Sequence, residues 1–170
     1  MKTISKIVVI ISIYFSLISN TFASQNYMFV NFDLLINETS IGKKSLSKIN
    51  ELDKKNITKL NLYEEELNKI ENEIKIKKNI ISKEEYNIEV NKLKQKAKEY
   101  NNEKNLMVQN LNDLKKNELK LFLETINPII QNYMDQNSID IIFDKKSIFI
   151  GNKKLDLTKL LINEINNKIK

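Results

Sequence analysis

The chain has 170 residues, of which 29% are charged, and its 28 basic and 22 acidic side chains give a net charge of +6 at pH 7. Every basic residue is lysine, and there is no arginine, histidine, cysteine or tryptophan. The composition therefore excludes Ser-His-Asp and Cys-His catalysis, disulfides, and metal sites built from imidazole or thiolate. Stability must come from packing.

Other routes to catalysis have little support in the sequence. A Ser-Lys dyad or a carboxylate pair remains open in principle. However, the adjacent carboxylates of Glu64-Glu65-Glu66 and Glu84-Glu85 point about 100° apart on a helix, so they do not converge on one substrate. The two glycines, Gly42 and Gly151, do not form a loop that cradles phosphate. We expect neither an enzyme nor a cofactor.

The N-terminus has the pattern of a secretory signal peptide. Lys2 and Lys6 precede an apolar run from Ile7 to about Ile18, and Thr21 and Ala23 lie three before and one before a cut. The alternative is a retained membrane anchor, but this run of about a dozen residues is shorter than the roughly 18 to 20 that a spanning helix needs. We predict that residues 1–23 are cleaved after Ala23 and that the product is exported and soluble.

The first elements of the mature chain are predicted from a compact apolar run. Residues Tyr27 to Phe32 have the length and aromatic content of a buried strand. Asp33 is predicted to cap a short helical turn through Leu34, Leu35 and Ile36. Residues 39–42 are interpreted as a break before a longer helix.

Two long helices are predicted next, from Ser45 to about Asn79 and from about Ser82 onward. Ser82 and Glu85 have capping-box spacing, which places a tight turn near residues 79–82. The second helix has a seam of twelve positions at strict 3-4 spacing, nine of them apolar: Tyr86, Val90, Leu93, Ala97, Tyr100, Lys104, Met107, Leu111, Leu114, Glu118, Leu121 and Thr125. This period is typical of a coiled coil, and a short turn makes the helices an antiparallel hairpin.

The C-terminal part changes character. Pro128 is predicted to kink the second helix or to begin a new segment. Alternation over residues 139–144 predicts a strand, and Ile148 to Ile150 a second strand after a polar turn. Asp156 is predicted to cap a last amphipathic helix, whose apolar residues are Leu157, Leu160, Leu161 and Ile165.

These elements predict an α+β fold: a small β-strand body with a long, protruding antiparallel α-helical coiled-coil hairpin. The body comprises residues 24–44 and 115–170, and the hairpin arm comprises residues 45–114 with its tip near 79–82. Three short strands bury little core, so we expect the body to be completed by oligomerisation. The predicted oligomerisation core is Phe29, Ile139, Ile141, Phe143, Ile148 and Ile150.

The predicted arm tip combines positive charge with apolar side chains. Its candidate contacts with a client protein or a membrane are Lys75, Ile76, Lys77, Lys78, Ile80, Ile81 and Lys83. The alternative is an ordinary solvated turn whose isoleucines pack locally.

In this order, the elements resemble the Skp/OmpH family of periplasmic chaperones. The signal peptide, "FVNFDLLINETSIGKK", the lysine-rich hairpin and "IDIIFDKKSIFIGNKKLDLTKLLINEI" are the stretches that resemble it, with Asp156-Leu157-Thr158 opening the last helix. The resemblance implies a homotrimer whose strands form the body. It also implies that three arms enclose a cavity holding unfolded outer-membrane β-barrel proteins without ATP, with anionic lipid as a further contact. A lipopolysaccharide site is not carried over, because the arginine and lysine positions on which it depends in the family do not match this chain residue by residue.

Two rival functions remain open from the residues alone. The first is a passive periplasmic coiled-coil spacer or adaptor, which would share the heptads but need one dedicated partner site. The second is a binder of nucleic acid or another polyanion. The positive net charge of the chain allows binding of a polyanion. The predicted export, the absence of arginine and the interspersed glutamates argue against it.

Overall fold

The computed structural model describes residues 25–169, so the predicted signal peptide lies outside the described residues. The elements are β1 Tyr27–Val30, α1 Phe32–Glu38, α2 Ser40–Lys77, α3 Lys83–Gln136, β2 Ile141–Asp144 and α4 Thr158–Lys168, with 3-10 turns at Lys145–Ser147 and Lys153–Leu155. The predicted fold class is confirmed, since a small sheet and short helices form a body and two long helices form a hairpin.

The sheet has two strands, and they are parallel. Tyr27 lies opposite Ile141, and Phe29 lies opposite Phe143. On the other side of β1, the backbone N–H of Leu157 donates to the carbonyl of Phe29 at 2.9 Å, beside a bridge between Phe29 and Asp156. Residues 148–150 form no strand, so the strand predicted there is wrong.

Local turns replace the predicted hairpin after β2. The Asp144 carboxylate accepts a hydrogen bond from the backbone N–H of Lys146 at 3.2 Å and begins the first 3-10 turn. The Asn152 side chain accepts from the N–H of Lys154 at 3.0 Å and begins the second. Asp and Asn favour such turns because their short side chains satisfy the backbone two residues on.

The core of the body lies between the sheet, α1, α4 and the C-terminal part of α3. Its buried members are Val30, Leu35, Phe122, Ile126, Ile139, Leu157, Leu161, Ile162 and Ile165. Phe32 packs edge-on against Phe122 with ring centroids 5.9 Å apart, and it begins α1 instead of ending β1. The predicted cap at Asp33 is also wrong, because Asn31 accepts from the N–H of Leu34 at 3.2 Å.

A single residue, Thr39, separates α1 from α2. Its hydroxyl donates to the carbonyl of Leu35 at 2.6 Å and accepts from the N–H of Gly42 at 3.2 Å. The predicted break at residues 39–42 is therefore too long, and α2 begins at Ser40 instead of Ser45. Gly42 lies inside the helix, where a Cβ would stand 2.0 Å from the carbonyl oxygen of Ile36. Glycine permits this close approach of two helices.

The arm is the antiparallel hairpin of α2 and α3. These helices have 38 and 54 residues, which at about 1.5 Å per residue makes them about 57 and 80 Å long. The predicted turn and its capping box are confirmed: the Ser82 hydroxyl accepts from the N–H of Glu85 at 3.2 Å, and the Glu85 carboxylate accepts from the N–H of Ser82 at 3.0 Å. Ile74 and Met107 are buried in the seam.

α3 continues through Pro128 to Gln136, so the predicted start of a new segment is wrong. Proline has no N–H, and it leaves the carbonyl of Glu124 without its helical donor. The helix persists because Ile129, Ile130 and Tyr133 pack against the core of the body. Tertiary packing therefore offsets the local cost of the proline.

The start of α4 differs from the prediction by one residue. The N-cap position is Leu157, which has no capping side chain. Asp156 still accepts from the N–H of Thr158 at 3.0 Å and from its hydroxyl at 2.5 Å. Burial opposes ionisation of Asp156, but these bonds and one from Lys145 prevail and lower the pKa of its carboxyl.

Candidate assembly and client-binding surfaces

One face of the sheet is apolar and open to solvent. Met28, Val30 and Ile142 face the core, whereas alternation along the strands turns Tyr27, Ile141 and Phe143 outward. The three outward residues are more than two-fifths exposed. Within the described residues, the outer edge of β2 pairs with no strand. An open edge beside an apolar face is a surface that pairs readily with another chain.

The loop between the two 3-10 turns adds further exposed apolar side chains. Phe149 is fully exposed and Ile150 nearly so. The loop is held by an ion pair of 3.1 Å between Lys145 and Asp156 and one of 2.7 Å between Lys146 and Asp33. Gly151 lies against the ring of Phe29, where a Cβ would come within 2.9 Å of a ring carbon. The aromatic side chain is thus presented by an anchored loop.

The predicted oligomerisation core divides into two groups. Phe29 and Ile139 are buried within a single copy, and Ile139 belongs to its core. Ile141, Phe143 and Ile150 are exposed, and Ile148 is half-buried. Sequence reasoning missed Tyr27 and Phe149. In the predicted strand over residues 148–150, Phe149 points to the face opposite Ile148 and Ile150. The prediction assigned those two residues to the oligomerisation core and therefore left Phe149 out. We call Tyr27, Ile141, Phe143, Phe149 and Ile150 the body surface.

The arm tip carries two isoleucines that contact little. Ile76 and Ile80 are 73% and 78% exposed. Ile81 is half-buried. The alternative interpretation, in which the isoleucines of the turn pack locally, therefore fits Ile81 but not Ile76 or Ile80. Lys75, Lys77, Lys78 and Lys83 are also exposed, and Lys75 pairs with Glu71 at 2.7 Å. The tip is thus both cationic and apolar.

Further apolar side chains lie on the outer surface of the arm. They are Ile57, Leu62, Ile88, Leu106 and Val108, each more than half exposed. Between them, α2 and α3 are joined by polar contacts on the flanks of the seam, in which Lys59 pairs with Glu103 and Lys96 with Glu66. Each carboxylate raises the pKa of its lysine through a hydrogen bond. The outer surface of the arm therefore alternates charge with isolated apolar side chains.

At the root of the arm, α2 and α3 are joined by an ion pair between an exposed lysine and a buried carboxylate. Lys48 Nζ donates to Glu118 Oε1 at 2.7 Å. This hydrogen bond outweighs burial and holds the pKa of Glu118 below its usual range. Glu118 occupies a seam position of the predicted coiled coil and is only 7% exposed, although it carries a charge.

No metal or membrane-spanning element stands out in the part of the chain that the structure describes. Within residues 25–169, no group of three or more acidic side chains is placed to hold a metal ion. No helix in that range combines the length and apolar character needed to cross a membrane.

The geometry defines a class of protein: a small α+β body that carries one long helical hairpin, with apolar side chains exposed on both. The family model described as "Outer membrane protein (OmpH-like)" matches residues 26–165. The chain belongs to the OmpH-like family, and the predicted family is confirmed.

A solved structure has the same fold. It is the crystal structure of an OmpH-like protein from Caulobacter crescentus CB15, a candidate outer membrane chaperone. The TM-score is 0.75 at 15% identity, over 87% of this chain and 88% of that chain. At this identity the likeness concerns the fold alone. No curated protein matches this chain.

Proposed function

We propose that the protein is an ATP-independent holdase chaperone that binds unfolded outer-membrane β-barrel proteins and prevents their aggregation. Family membership and the fold shared with a candidate outer membrane chaperone support a chaperone role. The observation that carries the finer proposal is the arm, which projects from the body and exposes isolated apolar side chains among charged ones.

This surface suits an unfolded chain. A β-barrel precursor in water exposes strand edges and apolar side chains that promote aggregation. Many weak contacts along a long arm would cover such segments without selecting one sequence, because each contact buries only part of an apolar side chain. Lysines would attract acidic segments of the client. No catalytic group and no nucleotide are needed.

The proposal includes a homotrimer with all three arms on one side. A single copy exposes the body surface, and an aromatic and aliphatic patch of this kind is commonly an interaction site. Contact between copies would cover Ile141, Phe143 and Ile150 with Tyr27 and Phe149. Three arms would then surround a cavity for the client.

The proposed location is the periplasm, reached after cleavage behind Ala23. The proposed partners are unfolded outer-membrane proteins, further copies of this chain and anionic membrane lipid, with no nucleic acid. The tip supports the lipid contact, since Ile76 and Ile80 are exposed beside four lysines. Cationic surfaces with apolar side chains bind anionic lipid through charge and partial burial together.

The test is the aggregation of a urea-unfolded outer-membrane barrel protein on dilution, followed by light scattering without ATP. We expect suppression that saturates at about one trimer per client. A folded soluble protein of similar charge serves as the control and should not suppress aggregation. No suppression at excess, with the assembly intact, would contradict the holdase proposal and favour a passive spacer with one dedicated partner.

A further inference from the structure

The root of the arm contains a buried charge that the holdase proposal does not use. Glu118 is the one carboxylate in the buried set of residues 25–169, whose other polar members are Thr39, Ser45 and Thr158. It faces Lys48, Lys44 and Ser45 across the seam, and Lys115 lines a cavity with it on α3. Its second oxygen, Oε2, is buried and has no hydrogen-bond partner among the described residues.

Open pockets flank this carboxylate on both sides. A cavity of about 310 Å³ lies on one side of the seam, between Lys44, Lys48 and Leu121. A cavity of about 60 Å³ lies on the other, between Leu46, Leu119 and Phe122. Glu118 and Ser45 line both cavities. The ion pair therefore joins α2 and α3 between two openings in the packing of the seam.

We propose that Glu118 and Lys48 are positioning residues that fix how α2 meets α3 at the root, and therefore the direction in which the arm leaves the body. An ion pair with a buried carboxylate is a weak source of stability, because the desolvation of the carboxylate offsets its attraction to the lysine. It is, however, demanding about geometry. Movement that separates Glu118 from Lys48 leaves a buried carboxylate without its partner, which costs free energy. Apolar side chains beside a pocket can shift past one another at a smaller cost in free energy. Single buried polar positions set register in coiled coils in the same way.

The test replaces the pair with apolar side chains of similar size, in the variant K48M/E118M. Spin labels are placed on exposed sites of the arm and the body through E65C and K159C, and the chain has no other cysteine. Labelled copies are diluted into excess unlabelled copies, so that each assembly carries at most one labelled arm. Pulsed electron paramagnetic resonance then gives the distribution of arm-to-body distances.

We expect K48M/E118M to keep or raise the melting temperature while the width of the distance distribution at least doubles. The matched control is K59M/E103M, which removes a more exposed pair between the same helices further along the arm. The control should leave the width unchanged.

Three results would overturn the inference. The first is an unchanged width in K48M/E118M. The second is equal broadening in the control, because the effect would then not belong to the root. The third is a K48M/E118M protein that does not fold, because the pair would then be needed for stability and not for position. These readouts use no client, so they stand apart from the test of holdase activity.

Discussion

Tyr27 lies edge-on to Phe143 on the outside of the sheet, with ring centroids 6.1 Å apart and an interplanar angle of 66°. The two side chains are 42% and 44% exposed in a single copy. Edge-to-face aromatic pairs stabilise most when water is excluded from them. The pair belongs to the body surface, so the proposed contact between copies would cover it.

Ile141→Asp tests that contact. The substitution brings a carboxylate into an apolar interface, where burial of an unpaired charge is costly. We expect the assembly to dissociate into monomers at micromolar concentration, as measured by multi-angle light scattering, with a dissociation constant raised at least about tenfold.

Leu160→Asp is the matched control for this substitution. Leu160 is similarly exposed, at 53%, but it lies on α4, outside the body surface. The control should keep its assembled mass. An assembled mass for Ile141→Asp equal to that of the unmodified protein would show that copies meet elsewhere.

The arm tip should contribute to client binding through Ile76 and Ile80. The double variant I76S/I80S keeps the four lysines of the tip. It removes apolar side chains that are exposed to solvent in a single copy. We expect its apparent affinity for an unfolded barrel protein to fall by roughly three- to tenfold, since each isoleucine is only partly covered on binding. Fluorescence anisotropy of a labelled client measures the change.

I76L/I80L is the control for the tip, because it keeps the apolar area while altering its shape. Its affinity should stay within about twofold of the unmodified protein. Equal binding by the serine and leucine variants would rule out an apolar contribution from the tip.

Gly42→Ala should destabilise the body. An added methyl group would meet the carbonyl oxygen of Ile36 at 2.0 Å, and backbone cannot move aside as a side chain can. Overpacking of this kind costs typically 1–3 kcal/mol, so we expect a loss of at least about 2 kcal/mol in urea unfolding at a fixed protein concentration.

Gly151→Ala is the comparison for that substitution. Its methyl group would meet the edge of the Phe29 ring at 2.9 Å, and a ring edge yields more easily than a helix backbone. We expect a smaller loss than for Gly42→Ala. The reverse order would mean that α1 and α2 adjust freely at their junction.

The ion pair at the root should make stability depend on pH. The pKa of Glu118 is lowered from 4.5 in the folded protein, chiefly by the hydrogen bond from Lys48. Its contribution is therefore present above about pH 4.5 and is lost as the pH falls through the folded pKa. Glu118→Gln should cost about 1–3 kcal/mol at pH 7, and the gap should narrow as the pH approaches 3.

Glu103→Gln is the control, because Glu103 forms a more exposed pair with Lys59. Exposed pairs contribute little to stability, so this variant should stay close to the unmodified protein in its free energy of unfolding. Urea unfolding at several pH values measures both variants. A gap for Glu118→Gln that stays constant down to pH 3 would contradict the lowered pKa.

The arm was predictable because its signals are local. Capping at Ser82 and the 3-4 spacing depend on residues within a few turns of each other, and both are confirmed in the structure. Strand pairing is not local. The parallel register of β1 and β2 joins residues more than a hundred positions apart. The apolar run from Ile148 to Ile150 did not reveal that Asp156 occupies the other side of β1.

Tertiary packing explains the other differences. Nothing near Pro128 in the sequence shows that Ile129 and Ile130 are held by the body, which keeps the helix intact. Gly42 looked like a break because its role depends on the backbone of Ile36. Glu118 looked like one polar interruption of a coiled coil, and its pairing with Lys48 appears only when the two helices are set side by side.

The measurement that tests the central claim most directly is the native mass of the complex formed when an unfolded outer-membrane barrel protein is diluted into residues 24–170 of this chain without ATP. The account predicts one client with three copies of this chain, and no such complex for Ile141→Asp. A client bound by single copies, or by none while the assembly stays intact, would contradict capture by an assembled set of arms.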